Sequence, residues 1–407
     1  MADIQRLKDN VQREIDKIAA QLVECSDWMA DNPEIGLQEY QASDRLSGML
    51  EESGAVVEPG IAGFPTAFRA TLAGSGSGEP TIAMLAEYDA LPEVGHGCGH
   101  NIIGNAAVGA GMALSRLGRR GELGDLPGKV VVIGTPAEET VGSKIDILEQ
   151  GCFDSIDAAI MIHPSTGDQI AARHMGVLSI EFAFHGKPAH AALDPYQGIN
   201  ALDAVIQTFV NIGLLRQQLR SEARIHGVIT HGGDAPNIIP AYAACRFFVR
   251  SFDVSYGQEL KRRVVACAEG AATATGAKLE WREYNKQFLN YIPNNVLGGV
   301  VRANMQALGR TVGQADDVYA STDFGNISQV IPTACAFFAI CSNEVAWHSK
   351  EVAAATKTGR GHDTLIAAAK TLAMSTLDLL GTPDFMAMSR QEHQAATNPA
   401  AARPSQS

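Results

Sequence analysis

Three short runs of apolar residues, none of which alternates with polar residues, lead directly into residue types that bind metal ions. The runs are Thr81–Ala86, Lys129–Gly134 and Asp157–Ile162. Such uninterrupted runs are typical of strands that are buried on both faces of a parallel sheet. Binding sites in open α/β sheets form beyond the carboxyl ends of the strands. The sequence therefore predicts an α/β domain with a mostly parallel sheet flanked by helices, and a site at one edge of that sheet.

The first run leads into a glycine-rich loop that contains Cys98 and His100. A thiolate and an imidazole suit Zn²⁺ or a similar divalent ion, and the flanking glycines allow the backbone to bring both side chains to one point. The alternative is a glycine-rich turn in which both residues are incidental. Asp89 is predicted to orient a metal ligand without binding the ion. Glu87 either does the same or binds the ion directly.

The other two runs end on carboxylates and a histidine. Glu138 and Glu139 are adjacent in an extended segment and point in opposite directions, so one can bind metal while the other acts as a general base. Alternatively, they begin a solvated helix. His163 precedes a proline at the third strand end, and His348 follows a further apolar strand, Thr333–Ile340. The alternatives are a core histidine and a surface-loop histidine, respectively.

The pattern changes near Gly176. From there the order of elements is βαββαβ, which is that of the split ferredoxin-like unit, and the α/β pattern returns from Lys286. The last residues mix polar and alanine-rich stretches, as flexible tails do. The predicted boundaries are 1–175 and 286–381 for the α/β domain, 176–285 for the inserted α+β unit, and 382–407 for a flexible tail.

Three polar residues of the inserted unit are functional candidates. His190 follows a strand and could donate a hydrogen bond to an oxyanion if this unit faces the metal site. Asn237 lies in a turn and Arg250 in a strand. From their positions alone, both are equally well explained as structural or solvent-facing residues.

The composition of the chain restricts the kinds of molecule that it is expected to bind. The net charge is −13 and the sequence has no run rich in lysine and arginine, so nucleic acid and anionic membrane are not expected partners. No stretch approaches the roughly 20 apolar residues of a membrane-spanning helix, and the charged amino terminus lacks a signal-peptide pattern. The seven scattered cysteines are typical of free thiols in a reducing compartment. We therefore expect a cytoplasmic protein that acts on a small molecule.

Several motifs together resemble the metal-dependent amidohydrolase family that includes aminoacylases, hippurate hydrolases and auxin-conjugate hydrolases. The resemblance covers nearly the whole chain. A further segment, 321–326, looks most like the branch that contains p-aminobenzoyl-glutamate hydrolase and related dipeptidases. The motifs that carry the resemblance are 86–92, 97–101, 134–139, 163–164, 186–192 and 236–240.

The resemblance implies a catalytic α/β domain and a ferredoxin-like lid that forms a homodimer. It implies two metal ions, with Glu138 as the general base and His190 reaching the partner's active site to stabilise the oxyanion. Asn237 and Arg250 match positions that contact the substrate's carboxylate or carbonyl, and the substrate pocket is expected around Ser321. The matching ligand positions are Cys98, His100, Glu139, His163 and His348.

The sequence departs from the family pattern at two positions. Asn101 stands where auxin-conjugate hydrolases have an aspartate, and Glu87 stands where distant members have a metal-binding histidine. The number of bound ions is therefore left as one or two. Zinc and manganese are the expected metals, with cobalt and nickel as alternatives.

The predicted reaction is hydrolysis of the amide bond of an N-acyl or N-aroyl amino acid or a dipeptide-like compound. Two alternatives stay open at this stage. One is a metal-dependent deaminase that releases ammonia from an aromatic amine. The other is a catalytically silent metal-dependent binding protein, although such a protein would need neither Glu138 nor His190.

Overall fold

A computed structural model describes residues 3–74, 76, 78–314 and 316–398. The α-helices are α1 (Ile4–Asp31), α2 (Tyr40–Glu52), α3 (His100–Arg119), α4 (Ser143–Glu149), α5 (Ala201–Leu215), α6 (Val254–Thr275), α7 (Asn295–Ala307), α8 (Phe324–Ser328), α9 (Lys350–Ala355), α10 (Gly359–Gly381) and α11 (Pro383–Thr397). The β-strands are β1 (Val56–Pro59), β2 (Phe68–Thr71), β3 (Thr81–Ala86), β4 (Lys129–Gly134), β5 (Ala158–Ser165), β6 (Gln169–Ile170), β7 (Gly176–His185), β8 (Arg224–His231), β9 (Tyr242–Ser251), β10 (Lys278–Glu283) and β11 (Thr333–Ala339).

The chain divides into two compact units. Unit 1 comprises the described residues of 1–173, 292–317 and 326–407, and unit 2 comprises 174–291 and 318–325. The sequence predicted an insertion over 176–285. Unit 2 therefore extends past both predicted ends and includes a short segment from later in the chain.

Unit 1 is built on a mixed sheet whose strand order is β1-β2-β4-β3-β5-β11-β6. Strands β4, β3, β5 and β11 are parallel, and the outer strands are antiparallel. The three apolar runs of the sequence are the neighbouring strands β4, β3 and β5, with Leu85 opposite Ile133 and Met84 opposite Ile160. The predicted α/β fold with a mostly parallel sheet is confirmed. Its parallel register brings the three carboxyl ends to one edge.

Helix α3 begins at that edge and is buried over almost its whole circumference, as expected for a helix that is apolar all round. It packs against α1, α10 and the sheet. Small residues allow α3 to pack closely against its neighbours. A Cβ atom on Gly104 would lie 2.9 Å from the Glu87 carbonyl oxygen and 3.0 Å from Leu46 Cδ1. Gly104 therefore fixes the close approach of α3 to the loop after β3.

Helix α10 is long and apolar enough to cross a membrane, but 72% of its most apolar window is buried inside the protein. Burial of this extent is typical of a core helix.

Unit 2 has an antiparallel sheet of order β10-β7-β9-β8 in which α5 and α6 pack together and against the sheet. The order of its elements along the chain is βαββαβ, as the sequence predicted. Its core includes Phe182, Phe247 and Leu260, which are all fully buried. In strands β7 and β9, successive side chains point to opposite faces of the sheet, so every second side chain points toward the helices. This explains why the core forms between the sheet and the helices.

The structure departs from the predicted flexible tail over 382–407. Residues 383–397 form helix α11, so the prediction is wrong for that range, whereas 399–407 lie outside the described residues. The Asn294 side chain donates to the Ser389 carbonyl at 2.9 Å, and the Glu392 carboxylate accepts the backbone N–H groups of Asn295 and Val296 at 3.0 Å. Glu392 thereby caps the amino terminus of α7.

We expect Gly104→Ala to destabilise the protein by about 1–3 kcal/mol, because the added methyl group meets backbone in a packed core. Gly299→Ala in α7 is the matched control, since nothing lies within 4 Å of the new Cβ atom. This control should be neutral or stabilising by up to about 1 kcal/mol through helix propensity. Urea unfolding monitored by circular dichroism measures both changes. Equal effects of the two substitutions would contradict the packing argument.

Candidate metal centre

Five residues predicted as metal ligands lie together in unit 1. They form two groups of three, and within each group the candidate ligand atoms all lie within 4.8 Å of one another. The first group is Cys98, His100 and His163, and the second is Cys98, Glu139 and His348. The Cys98 thiol belongs to both groups. Residues that are far apart in the chain thus converge on one thiol.

The loop that carries Cys98 depends on Gly99. This residue has a φ of +80°, in the left-handed region that glycine adopts at no steric cost. A Cβ atom there would lie only 2.7 Å from Pro164 Cγ, in the strand that carries His163. Gly99 therefore turns the chain between Cys98 and His100 and also lets this loop approach β5.

His100 is oriented by Asp89. Its Nδ1 atom lies 2.9 Å from Asp89 Oδ1, and both side chains are fully buried. Its Nε2 atom is buried without a hydrogen-bond partner in the described part of the chain, and it lies 3.5 Å from Glu87 Oε2 and 3.8 Å from Glu139 Oε1. A buried polar atom without a partner is costly. A divalent cation bound among these thiol, imidazole and carboxylate donors would remove that cost, so the residues fit a metal ion.

The loop after β4 places Glu138 and Glu139. Its Ala137 has a φ of +58°, which is uncommon for a residue with a side chain. The Ala137 N–H donates to Glu39 Oε1 at 2.7 Å, and the Glu139 N–H donates to Asp89 Oδ2 at 3.0 Å. Candidate ligand atoms of Glu138, Glu139 and His100 lie within 4.8 Å of one another. The two carboxylates therefore both reach the cluster from a loop that is fixed by two other buried carboxylates.

Charges in the cluster stabilise one another. Burial alone would raise the pKa of the Cys98 thiol, but the His100 and His163 imidazoles outweigh it and lower the pKa to about 6. Hydrogen bonding to Cys98 and Glu139 raises the pKa of His348 to about 10. The backbone of His348 is also left-handed, with a φ of +61°. Burial alone would lower the pKa values of His100 and His163, but attraction to Cys98 raises both. A metal cation would supply the positive charge that this cluster attracts.

Two residues near the cluster were missed by sequence reasoning. Lys144 is fully buried at the start of α4, and its Nζ atom lies 2.7 Å from Glu87 Oε1. Trp347 Nε1 donates to Cys98 Sγ at 3.4 Å. The sequence offers no signal for a buried lysine, because helix-start lysines are usually solvated. Only the position of Trp347 beside His348 could have drawn attention to it.

In unit 2, two facing loops bring His190 and Asn237 close together. The Ala191 N–H donates to the Asn237 carbonyl at 3.0 Å, and His190 pairs with Ile238. His190 Nδ1 accepts the backbone N–H groups of Ala192 and Leu193 at 3.3 and 3.1 Å. Because Nδ1 is an acceptor, the proton of the neutral ring is on Nε2, and this exposed ring offers a donor to solvent.

Arg250 and Ser321 also meet within unit 2. The Arg250 Nη1 atom donates to Ser321 Oγ at 2.8 Å, and Nε donates to His226 Nε2 at 3.2 Å. Burial lowers the pKa of Arg250, but a guanidinium keeps its charge at any physiological pH. Two acceptors therefore fix the orientation of this side chain.

Asn101, one of the two departures from the family pattern, points away from the ligands. Its side chain donates to the Ser26 hydroxyl at 3.0 Å and thereby joins α3 to α1. Asn101 therefore has a packing role instead of supplying the charge that an aspartate would have.

The comparisons with known proteins assign the chain to a family. Residues 83–373 match the family described as Peptidase family M20/M25/M40. The chain is 34% identical to the Xaa-Arg dipeptidase of Mus musculus, over 96% of this chain and 93% of that protein. It is 27% identical to a p-aminobenzoyl-glutamate hydrolase polypeptide of Escherichia coli (strain K12), over 98% and 96%.

Solved structures share the fold. A putative aminohydrolase from methicillin-resistant Staphylococcus aureus has a TM-score of 0.77 at 17% identity, covering 92% of this chain and 100% of that one. A dinuclear metal-binding peptidase of the M20 family from Bacillus subtilis has a TM-score of 0.68 at 22% identity, covering 90% and 99%. The chain belongs to peptidase family M20/M25/M40 and is a hydrolase that acts on C–N bonds, which confirms the resemblance seen in the sequence.

We expect the metal-free protein to form a thiolate at unusually low pH. As the pH rises from 4 to 8, absorbance at 240 nm should increase with a midpoint near 6, because the Cys98 pKa is about 6. Cys98→Ser should abolish this step. Cys25→Ser should retain it, since burial raises the pKa of Cys25 to about 11. A step that survives in Cys98→Ser would show that another group is responsible.

Proposed function

We propose that this protein is a metal-dependent amidohydrolase that cleaves the amide bond of an N-acyl or N-aroyl amino acid or of a dipeptide-like substrate. The observation that carries the proposal is the pair of ligand groups that share Cys98, with Glu138 beside them. The names of the dipeptidase and aminobenzoyl-glutamate hydrolase relatives support this substrate class.

We propose that Cys98, His100 and His163 hold one ion and that Cys98, Glu139 and His348 hold a second. The Cys98 thiol belongs to both groups, and the mixed sulfur, nitrogen and oxygen donors would suit zinc or manganese, with cobalt and nickel as alternatives. When bound, such ions supply Lewis acidity, which lowers the pKa of water and polarises a carbonyl group.

Glu138 is the proposed general base. Glu139 is assigned to metal binding, whereas Glu138 is the neighbouring carboxylate within reach of the same atoms. It would take the proton from the attacking water and return it to the leaving nitrogen, so that the amine departs neutral.

His190 is the proposed oxyanion donor. Its Nε2 proton is fixed by the two backbone N–H groups that occupy Nδ1. A donor whose direction is set before the reaction stabilises developing negative charge without reorganisation.

Arg250, held by Ser321, is the proposed receptor for the substrate's carboxylate, and Asn237 is proposed to contact the substrate's carboxylate or carbonyl. Arg250 is oriented in advance by two acceptors, which suits a planar, bidentate contact with a carboxylate.

We propose a homodimer that forms through unit 2. Three exposed residues, Ile206, Val210 and Leu214, follow one another at four-residue spacing on α5, and β8 is an edge strand with the exposed residues Val228 and Ile229. A contiguous exposed apolar face and a free strand edge are typical of a protein interface.

We propose the cytoplasm as the compartment. All seven cysteines are free, and the thiols of Cys25, Cys98, Cys245, Cys335 and Cys341 are buried. Free thiols of this number persist in a reducing environment.

The decisive test is an assay of metal-loaded protein on N-acyl amino acids, aroyl-glutamates and dipeptides, with products identified by mass spectrometry. Glu138→Gln should keep its metal but lose at least about 100-fold in kcat, on the scale of general-base catalysis. Near-normal kcat in a metal-loaded Glu138→Gln protein would refute the assigned base. Ammonia release from aryl amines in place of amide cleavage would favour deamination, and binding without product would favour a silent binding protein.

Arg250→Met should raise KM at least about tenfold for substrates with a free carboxylate, because a charge-assisted contact of about 1.5–3 kcal/mol is lost. The change in kcat should be smaller. The matched control is the same substrate with a carboxamide in place of the carboxylate, on which the variant and the wild-type protein should perform alike. Equal losses on both substrates would mean that Arg250 does not recognise the carboxylate.

A further inference from the structure

A completely buried ion pair lies beside the candidate metal centre. Lys144 Nζ is 2.7 Å from Glu87 Oε1, and the two side chains are 0% and 1% exposed. Burying two charges costs several kcal/mol per ion, and replacing such a pair by apolar residues is often neutral or stabilising. Lys144 is also in the first turn of α4, where the helix dipole disfavours a cation. Stability of the fold therefore does not by itself account for this pair.

The second oxygen of Glu87 faces the cluster. Glu87 Oε2 lies 3.5 Å from His100 Nε2, the imidazole nitrogen that Asp89 leaves directed toward the ligands. One oxygen of the carboxylate is thus bound to a fixed cation, while the other borders the proposed ion site.

Anionic groups outnumber fixed cations in this region. Cys98, Glu138, Glu139, Asp89 and Glu87 are all acidic groups close to His100 or its ligand group. Carboxylate oxygens are themselves good ligands for zinc and manganese. Without a counter-charge, Glu87 would be drawn into the coordination sphere. Lys144 is the cation that opposes this.

We propose that Lys144 is a built-in counter-ion that holds Glu87 outside the coordination sphere and thereby moderates the affinity of the centre for metal while stabilising the metal-free chain. The inference rests on the metal centre proposed above. It makes Lys144 a positioning residue, since it acts on the ion through Glu87.

The test is zinc affinity, measured on metal-free protein by competition with a chromophoric chelator. Lys144→Met should bind Zn²⁺ at least about tenfold more tightly, and Glu87→Gln at least about tenfold more weakly, on the scale of residues that support metal ligands. The double variant should bind Zn²⁺ within about threefold of Glu87→Gln, because Lys144 has no carboxylate left to hold. Lys357→Met is the control for net charge, because its exposed pair with Asp31 lies on the surface.

Thermal unfolding gives a second readout. Without zinc, Lys144→Met should unfold at a lower temperature than wild type, and zinc should restore most of the difference, because the metal becomes the counter-ion of Glu87. The double variant should respond to zinc as Glu87→Gln does. A purely structural lysine would instead lower the midpoint equally with and without zinc.

Unchanged or weaker zinc binding in Lys144→Met would overturn the inference. If that variant does not fold without zinc, the zinc affinity of Glu87→Gln is the deciding measurement. Wild-type affinity in Glu87→Gln would refute the proposed role of the Lys144–Glu87 pair. A wild-type protein that binds no zinc stoichiometrically would refute the metal centre itself and this inference with it. The two failures are therefore distinguishable.

Discussion

The Asp89 carboxylate is the contact on which the arrangement of the candidate site depends. One of its oxygens binds His100 Nδ1 at 2.9 Å, and the other accepts the Glu139 N–H at 3.0 Å. It therefore joins the loop after β3, the first residue of α3 and the loop after β4. Because Asp89 is fully buried, no water competes for these bonds, and the direction of His100 Nε2 and the course of the second loop are set together.

Around this contact, the protein maintains features that are unfavourable in isolation. Ala137 is left-handed and is supported by the buried Glu39 carboxylate, whose pKa burial raises to about 7. Lys144 and Glu87 are desolvated completely. Strained and desolvated groups persist where the surrounding structure over-determines them, and they concentrate at functional sites. Their coincidence at one sheet edge is what distinguishes this region from the remainder of unit 1.

The convergence of the candidate ligands was predictable from the sequence for a simple reason. Cys98, His100, Glu139 and His163 each lie just after or near the end of an apolar run, and parallel strands bring such ends together. Glu39 and Lys144 were not accessible, since each is a common surface residue type on a helix or at its start. The helix over 383–397 was missed because alanine and polar residues compose both flexible tails and exposed helices, and only the contacts of α11 with α7 decide between them.

The sequence by itself determined the fold class, the order of elements in the inserted unit, the candidate ligand residue types and the family. These follow from local periodicity and from motifs that are contiguous in the chain. Tertiary structure alone decided that the two groups of candidate ligands share one thiol, which nitrogen of His100 faces them, and that a buried lysine lies beside Glu87. Those facts depend on distances between side chains far apart in the chain, and these distances are fixed by packing and desolvation, which no local pattern encodes.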